Sequence, residues 1–395
     1  MHIYVHVPFC VRRCSYCDFS IAVRKRIPTD EYLNAVLKEA VGLDEGDVDT
    51  IYFGGGTPSL LSPDAIATLL RELNVQRHTP HATRRTVVER HTPHVTRHTE
   101  VERRTPHAAR EVTLEANPED VTPDNAKAWR TAGVNRVSLG AQSFDDTVLK
   151  WMHRSHDAAR IGAAMHALRG AGIANISLDL IFARPEELHR DWERDLDMAL
   201  ALRPNHLSLY GLTVEPRTPL DRWISRGATH APDEERYADE YLFAHRRLAA
   251  DGFVFYEVSN ASLPGFRSQH NSAYWSGKAY VGLGPAAHSF DGTTRRWNLR
   301  AWEAYRRAIA EGRSQIESEE TLTAEQREME RVYLALRTAE GLAAATLCRP
   351  LPPIAALVKA GWLQEQGERL KCTPEGWLRL DSLVNELTMH TETQQ

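Results

Sequence analysis

Cys10, Cys14 and Cys17 fall within eight residues near the start of the chain, in a C-x3-C-x2-C array. Reduced, clustered thiols are soft ligands for iron or zinc, whereas a disulfide scaffold would spread its cysteines, and the five here are an odd number. Three thiolates can ligate three irons of a [4Fe–4S] cube and leave the fourth iron open to a substrate. A closed zinc site needs a fourth ligand. His2 and His6 lie close by but lack zinc-finger spacing. The array points to an iron–sulfur cluster, with zinc as the alternative.

Further along, Gly54-Gly55-Gly56-Thr57-Pro58 forms a glycine run where backbone groups can approach a ligand closely, as such runs also do for phosphates. Glu115 and Asp179 stand at the ends of predicted strands, where carboxylates can accept hydrogen bonds from an amine or ribose hydroxyls, and Arg154 can pair with a carboxylate. Each alone could be a surface charge or a cap; at successive strand ends they make a site. His270-Asn271-x-x-Tyr274-Trp275 places an imidazole beside two aromatics. That set could bind heme iron axially with rings on the porphyrin face, or be core with His270 bonded to a backbone carbonyl. His288 is a second candidate, read as structural. Cys348 and Cys372 lack a ligand-like partner and read as buried apolar residues.

These residues need a scaffold that brings strand ends together. Ile3 to Val7, Thr50 to Phe53, Glu111 to Leu114, Arg136 to Leu139, Ile176 to Ile181 and His206 to Tyr210 read as strands. Between them, Thr29 to Gly42 opens with a Thr-Asp capping signal, and Asp64 to Leu73, Pro123 to Ala132, Ala158 to Ala171 and Arg190 to Leu202 have helical spacing. Six strand–helix units predict an α/β fold with a parallel sheet, doubly wound or curled into a barrel. Past a linker near Gly312 to Ser318, Thr323 to Glu340, Ile354 to Ala360 and Trp362 to Leu387 read as a small helix-rich, winged-helix-like domain. Its Glu365, Glu368, Glu375 and Asp381 speak against DNA binding. The division expected is 1–315 for the barrel and its extension, 316–388 for the C-terminal helical domain and 389–395 for a tail.

Residues 77–110 fit neither pattern: Arg77-His78-Thr79-Pro80-His81 recurs at a spacing of 13 as Arg90-His91-Thr92-Pro93-His94 and Arg103-Arg104-Thr105-Pro106-His107. With eight Arg, six His and three Glu and almost nothing apolar, the segment cannot build a core and reads as a repeat insertion in a surface loop. Elsewhere the composition is that of an ordinary globular protein, 42% hydrophobic and 26% charged. The net charge of −5 gives no general attraction to nucleic acid or acidic membranes. No run approaches the ~20 apolar residues of a membrane span, and no signal peptide is evident, so a cytoplasmic protein is expected.

The cysteine spacing followed by the glycine run resembles the radical S-adenosylmethionine superfamily. Leu114-Glu115-Ala116-Asn117-Pro118, Ser138 to Phe144, Arg154, Asp179-Leu180-Ile181, Tyr256 to Asn260, His270 to Trp275 and Gly282 to Ser289 are similar to motifs of its oxygen-independent coproporphyrinogen III oxidase group, in the branch of heme chaperones called HemW. The resemblance covers nearly the whole chain except 77–110. It implies a partial (β/α)6 TIM-type barrel, a [4Fe–4S] cluster on Cys10, Cys14 and Cys17, and S-adenosyl-L-methionine lined by Tyr4, Tyr16, Gly55, Gly56, Thr57, Glu115, Gln142, Arg154 and Asp179. It also implies heme as cargo, with His270 as candidate ligand, client hemoproteins as partners, no nucleic acid, and at most peripheral membrane contact.

Two departures shape that implication. The group's oxidases carry a fourth cysteine two residues after the third, and here Cys17 is followed by Asp18 and Phe19. That favours the chaperone over the alternative, oxidative decarboxylation of coproporphyrinogen III to protoporphyrinogen IX. Where the family has a Gly-Leu-Pro-Gly turn, this chain has Ala183-Arg184-Pro185-Glu186, which replaces two glycines suited to unusual backbone angles.

Overall fold

The computed structural model describes residues 1–41, 43, 47–75, 111–188, 191–347 and 354–388. The repeat insertion, Cys348 and the tail lie outside the described residues.

All six expected strands form: His2–Val7, Thr50–Gly55, Glu111–Ala116, Arg136–Gln142, Asn175–Phe182 and His206–Gly211. They pair in parallel, each with the next in sequence. A doubly wound sheet reverses strand order at a switch point. Here the order is sequential with connecting helices between strands, the arrangement of a barrel. It does not close, because Tyr280–Leu283 adds in parallel outside the first strand and further antiparallel strands extend both edges into a sheet of twelve. The partial barrel expected from the resemblance is the one observed.

Side-chain alternation explains which face meets the helices. Ile3, Val5, Val7, Ile51, Phe53, Val112, Leu114, Val137, Leu139, Ile176 and Leu178 are buried in one core with apolar residues of the surrounding helices, such as Tyr32, Leu69, Trp129 and Ile161. Burying one such side chain contributes roughly 1.5–3 kcal/mol. The intervening positions, His2, Tyr4, His6, Thr50, Tyr52, Glu115, Ser138, Asp179, His206 and Ser208, are polar or amphipathic and form a hydrogen-bonded network. Parallel strands usually carry apolar residues on both faces. A polar inner face is built for chemistry rather than packing.

Helix ends follow their sequence signals with one exception. Thr122 caps Pro123–Ala132 by accepting from the Asn125 N–H, Pro123 opens the helix, and Gly133 ends it at φ +112°. The first helix, Thr29–Ala40, has no side-chain cap; Thr29 lies inside it behind Pro28, and Asp30 and Glu31 in the first turn complement the dipole instead.

The linker expected at Gly312 to Ser318 runs instead into a strand, Ile316–Thr321, paired with Thr294–Asn298 at one edge of the large sheet. Alternation is masked there because all six residues are exposed, which removes the apolar signal of a strand. Beyond it, Ala324–Arg337 opens with a capping box made by Thr323 and Gln326. It packs against Leu380–Thr388, and the hairpin Leu363–Gln366/Arg369–Cys372 forms the wing. Cys372 is buried as expected.

Candidate functional site

The cysteine loop leaves the C-terminal end of the first strand and is tied down along its length. The Ala22 N–H donates to the Pro8 carbonyl at 2.7 Å, the Arg24 N–H to Cys10 at 2.9 Å and the Ser15 N–H to Met152 at 3.2 Å. Arg13 bonds the Cys17 carbonyl at 3.2 Å. All three thiols are free of disulfides and face one cavity of about 590 Å³ at the C-terminal ends of the barrel strands.

Glycine is required beside this loop. A Cβ on Gly56 would stand 2.7 Å from the Phe9 carbonyl oxygen and 2.9 Å from that of Pro8, so the glycine run can press against the cysteine-loop backbone only without side chains. Gly55 has φ +113°, and its Cβ would meet the His6 ring at 2.6 Å. Thr57 follows, with its hydroxyl 3.3 Å from the Cys10 sulfur.

Opposite the thiols stands a charged wall. Arg154 is reached through the helix Asp146–Trp151, and its guanidinium donates to Asn117 Oδ1 at 2.6 Å and the Gly140 carbonyl at 3.0 Å, with Cys14 Sγ at 3.5 Å from Nη1. Its Nε is buried with no partner among the described residues. Glu115 accepts from the Tyr52 hydroxyl at 2.7 Å and the Gly55 N–H at 3.1 Å. Burial lifts it to about 7, opposed by the Tyr52 bond and reinforced by Asp179. Asp179 accepts from Ser138 at 2.9 and 3.0 Å and from Ser177 at 3.2 Å, and burial raises its pKa too. Burial pushes the thiols the same way, Cys10 upward and Cys17 to about 11.

Tyr16, Gly55, Gly56, Thr57, Glu115, Gln142, Arg154 and Asp179 therefore line the same cavity as the three cysteines. Gln142 does so from a left-handed backbone, φ +65°, a conformation costing a non-glycine residue about 1 kcal/mol and concentrated at functional sites. Tyr4 is the exception, since its side chain lines a second cavity instead. Sequence reasoning did not single out Asn117, which holds Arg154, or Ser138, Ser177 and Tyr210 around the carboxylates. The serines carried a signal, being polar residues on the inward face of strands whose other face is apolar.

His270 sits in the core and does not line the cavity of the cysteines. Its ring is fully buried, with Nδ1 2.7 Å from the Thr50 hydroxyl and Nε2 2.8 Å from the Tyr274 hydroxyl, and it stacks on Tyr52 at 5.1 Å. Burial holds it neutral, down at about 3. Both nitrogens are engaged by side chains, so the backbone-carbonyl alternative is not what forms.

The donor set fits a [4Fe–4S] cluster. Cys10, Cys14 and Cys17 line one cavity, and cube irons take one thiolate each. The orphaned Arg154 Nε and the partly satisfied carboxylates leave polar capacity for a charged ligand beside it.

Comparison with known proteins agrees with this geometry. Residues 4–199 match the radical SAM superfamily model. The chain is 37% identical over 98% of its length to a protein of Mycobacterium tuberculosis described as heme chaperone HemW, covering 94% of that protein. It is 33% identical to proteins so described in Escherichia coli, covering 97% of each chain, and Bacillus subtilis, covering 86% of this chain and 84% of the relative. Among solved structures, coproporphyrinogen III oxidase HemN of Escherichia coli, a radical SAM enzyme, superposes with a TM-score of 0.77 at 20% identity, over 98% of this chain and 90% of that one.

Proposed function

The chain belongs to the HemW family within the radical SAM superfamily, and from that premise we propose that it is a heme chaperone: it binds heme, carries a [4Fe–4S] cluster with S-adenosyl-L-methionine, and delivers heme to client hemoproteins. The observation that carries this reading is the likeness to HemW running through barrel and C-terminal unit alike, over 98% of the chain. Likeness to the oxidase supports the shared fold alone.

Cys10, Cys14 and Cys17 are the residues that would hold three irons of the cluster, which would supply an iron with an open position and redox capacity to S-adenosyl-L-methionine. The chain's own groups do the positioning. The Arg154 guanidinium stands beside Cys14, with Nη1 3.5 Å from its sulfur, and offers a positive charge to an anionic ligand set. Glu115 and Asp179 offer carboxylate oxygens to an amine and ribose hydroxyls, and the serines around Asp179 fix its orientation. Where the oxidases have a fourth cysteine, Phe19 is 60% exposed at the cavity mouth and cannot ligate.

Thiolate ligation favours a reducing compartment such as the cytoplasm. Among the described residues no helix is long and apolar enough to cross a membrane. The test is anaerobic reconstitution with iron and sulfide, then heme titration and transfer to an apo-hemoprotein. Heme binding with transfer is expected. Absence of both, or anaerobic formation of protoporphyrinogen from coproporphyrinogen III, would overturn the chaperone reading.

A further inference from the structure

Arg136 sits on the inward face of the fourth barrel strand, between Val137 and Leu139 of the outer core on one side and the barrel interior on the other, and it is 1% exposed. Its Nε and Nη1 are buried with no hydrogen-bond partner among the described residues. Burial of a charge is costly unless the charge is compensated, and buried donors left unused call for a role.

Strand pairing puts this side chain directly below the carboxylates of the cysteine cavity. Arg136 stands opposite Thr113, and the next inward pair along the same two strands is Ser138 with Glu115. Ser138 in turn holds Asp179. Two residues along a strand span about 7 Å, within the reach of an arginine side chain.

Among the described residues of this face nothing else supplies a positive charge. Burial lowers His2, His6, His206 and His270, so the inward imidazoles are neutral. Arg154 is held at the thiol side by Asn117 and the Gly140 carbonyl. Glu111, lower on its strand, accepts from the N–H groups of Gln269 at 2.9 Å and His270 at 3.0 Å. Tyr4, Tyr52, Tyr210 and Tyr274 stand close enough to feel the charge of Glu115, and burial raises all four phenols, which stay neutral. Glu115 and Asp179 thus face one fixed cation. Burial raises both carboxyls, and Arg136 is among the groups that oppose the rise.

We propose that Arg136 is a positioning residue for S-adenosyl-L-methionine, the fixed counter-charge that lets Glu115 and Asp179 be ionised together when the ligand's ammonium group arrives. The inference rests on the reading of this cavity as the S-adenosyl-L-methionine site. With one cation against two carboxylates, the unliganded cavity keeps a proton on Glu115 below about pH 7. Binding of the ammonium group releases that proton to solvent, and no other bond changes.

The test is calorimetric titration of S-adenosyl-L-methionine into the reconstituted full chain across a pH series, in two buffers of different ionisation heat so that protons are counted. Wild type is expected to release up to one proton per ligand below pH 7 and almost none two units higher. Arg136→Met keeps the bulk and loses the charge. It should move the pH at which affinity levels off up by about one unit, leaving binding about fivefold weaker at neutral pH and near wild type in alkali. Arg136→Gln should do the same, and Arg136→Lys should keep the wild-type profile, with unchanged cluster absorbance as the check on folding. A wild-type profile in the two neutral variants would overturn the assignment while sparing the binding site. So would an equal loss of affinity at every pH in all three variants, the mark of a residue that only fills the barrel. Failure of wild type to bind S-adenosyl-L-methionine at any pH would overturn both.

Discussion

Arg154 Nη1 lies 3.5 Å from the sulfur of Cys14, although 140 residues separate the two in sequence. A guanidinium held beside a half-buried thiol offers its sulfur a charged donor. Arg154→Gln removes that charge and leaves Asn117 and the Gly140 carbonyl short of donors. Iron affinity is expected to fall about tenfold on the energy of one charged hydrogen bond. Iron and sulfide counts after reconstitution at limiting iron measure it; Arg154→Lys should recover part of the loss, and equal loading of all three proteins would show the contact to be incidental.

Under the proposed function each of Cys10, Cys14 and Cys17 would hold one iron of the cluster. Replacing Cys10, Cys14 or Cys17 with Ala removes one of three protein ligands, and iron retention is expected to collapse in every single variant, whereas Cys372→Ala, buried in the C-terminal unit, should load normally. Wild-type iron content in any of the first three would exclude that residue as a ligand.

Glu115 makes ligand binding dependent on pH. Its pKa is raised by burial from the ordinary 4.5 to about 7, so between those values the native state keeps a proton that the unfolded chain has released. Stability from this group is greatest below 4.5, falls as pH rises, and levels off above about 7, a total of about 3 kcal/mol. A ligand amine beside the carboxylate favours its ionised form. S-adenosylmethionine binding should therefore tighten as pH rises toward about 7 and then flatten. Calorimetric titration between pH 5.5 and 8 reads this directly, and Glu115→Gln should abolish the slope.

The turn at Ala183 shows what a departure from the family pattern costs. Ala183 adopts φ +54°, the left-handed region that glycine tolerates, and its N–H bonds Glu240 at 2.6 Å. The next residue, Arg184, is buried and paired with Asp195 at 2.9 Å, with Ser143 at 2.7 Å. The turn thus keeps its backbone shape and is held by a buried ion pair. Ala183→Gly should stabilise the protein by about 0.5–1 kcal/mol, the relief of strain less the added chain entropy. A lower urea midpoint in that variant would show that Ala183 is unstrained.

Much of this was legible in the sequence because it was local. The six strands could be read from their runs of β-formers, and the thiols and glycine run from spacing. What escaped depended on contacts distant in sequence. Tyr4 looks like its neighbours in the first strand, and only the fold shows that it lines the second cavity instead of the first. His270 reads from its motif alone, and its bond to Thr50, 220 residues away, shows only in the fold. Ile316–Thr321 is a strand made by pairing, with no buried face to announce it.

The C-terminal unit is joined to the barrel through a buried ion pair. Glu257 is fully buried and paired with Arg337 at 2.9 Å, the Val258 N–H donates to the Arg337 carbonyl at 3.2 Å, and the Arg337 guanidinium lies 4.2 Å from the centre of the Trp275 ring. Burial raises the Glu257 pKa, and Arg337 is the strongest influence opposing it. Removing one partner of a buried pair leaves an uncompensated charge, at a cost of about 3–5 kcal/mol, whereas replacing both with apolar residues is often neutral. Arg337→Ala should therefore loosen the helix Ala324–Arg337 and speed proteolysis near 321–324, and Glu257→Leu with Arg337→Met should restore resistance. If Arg337→Ala were as resistant as wild type, the pair would not be what fixes this unit.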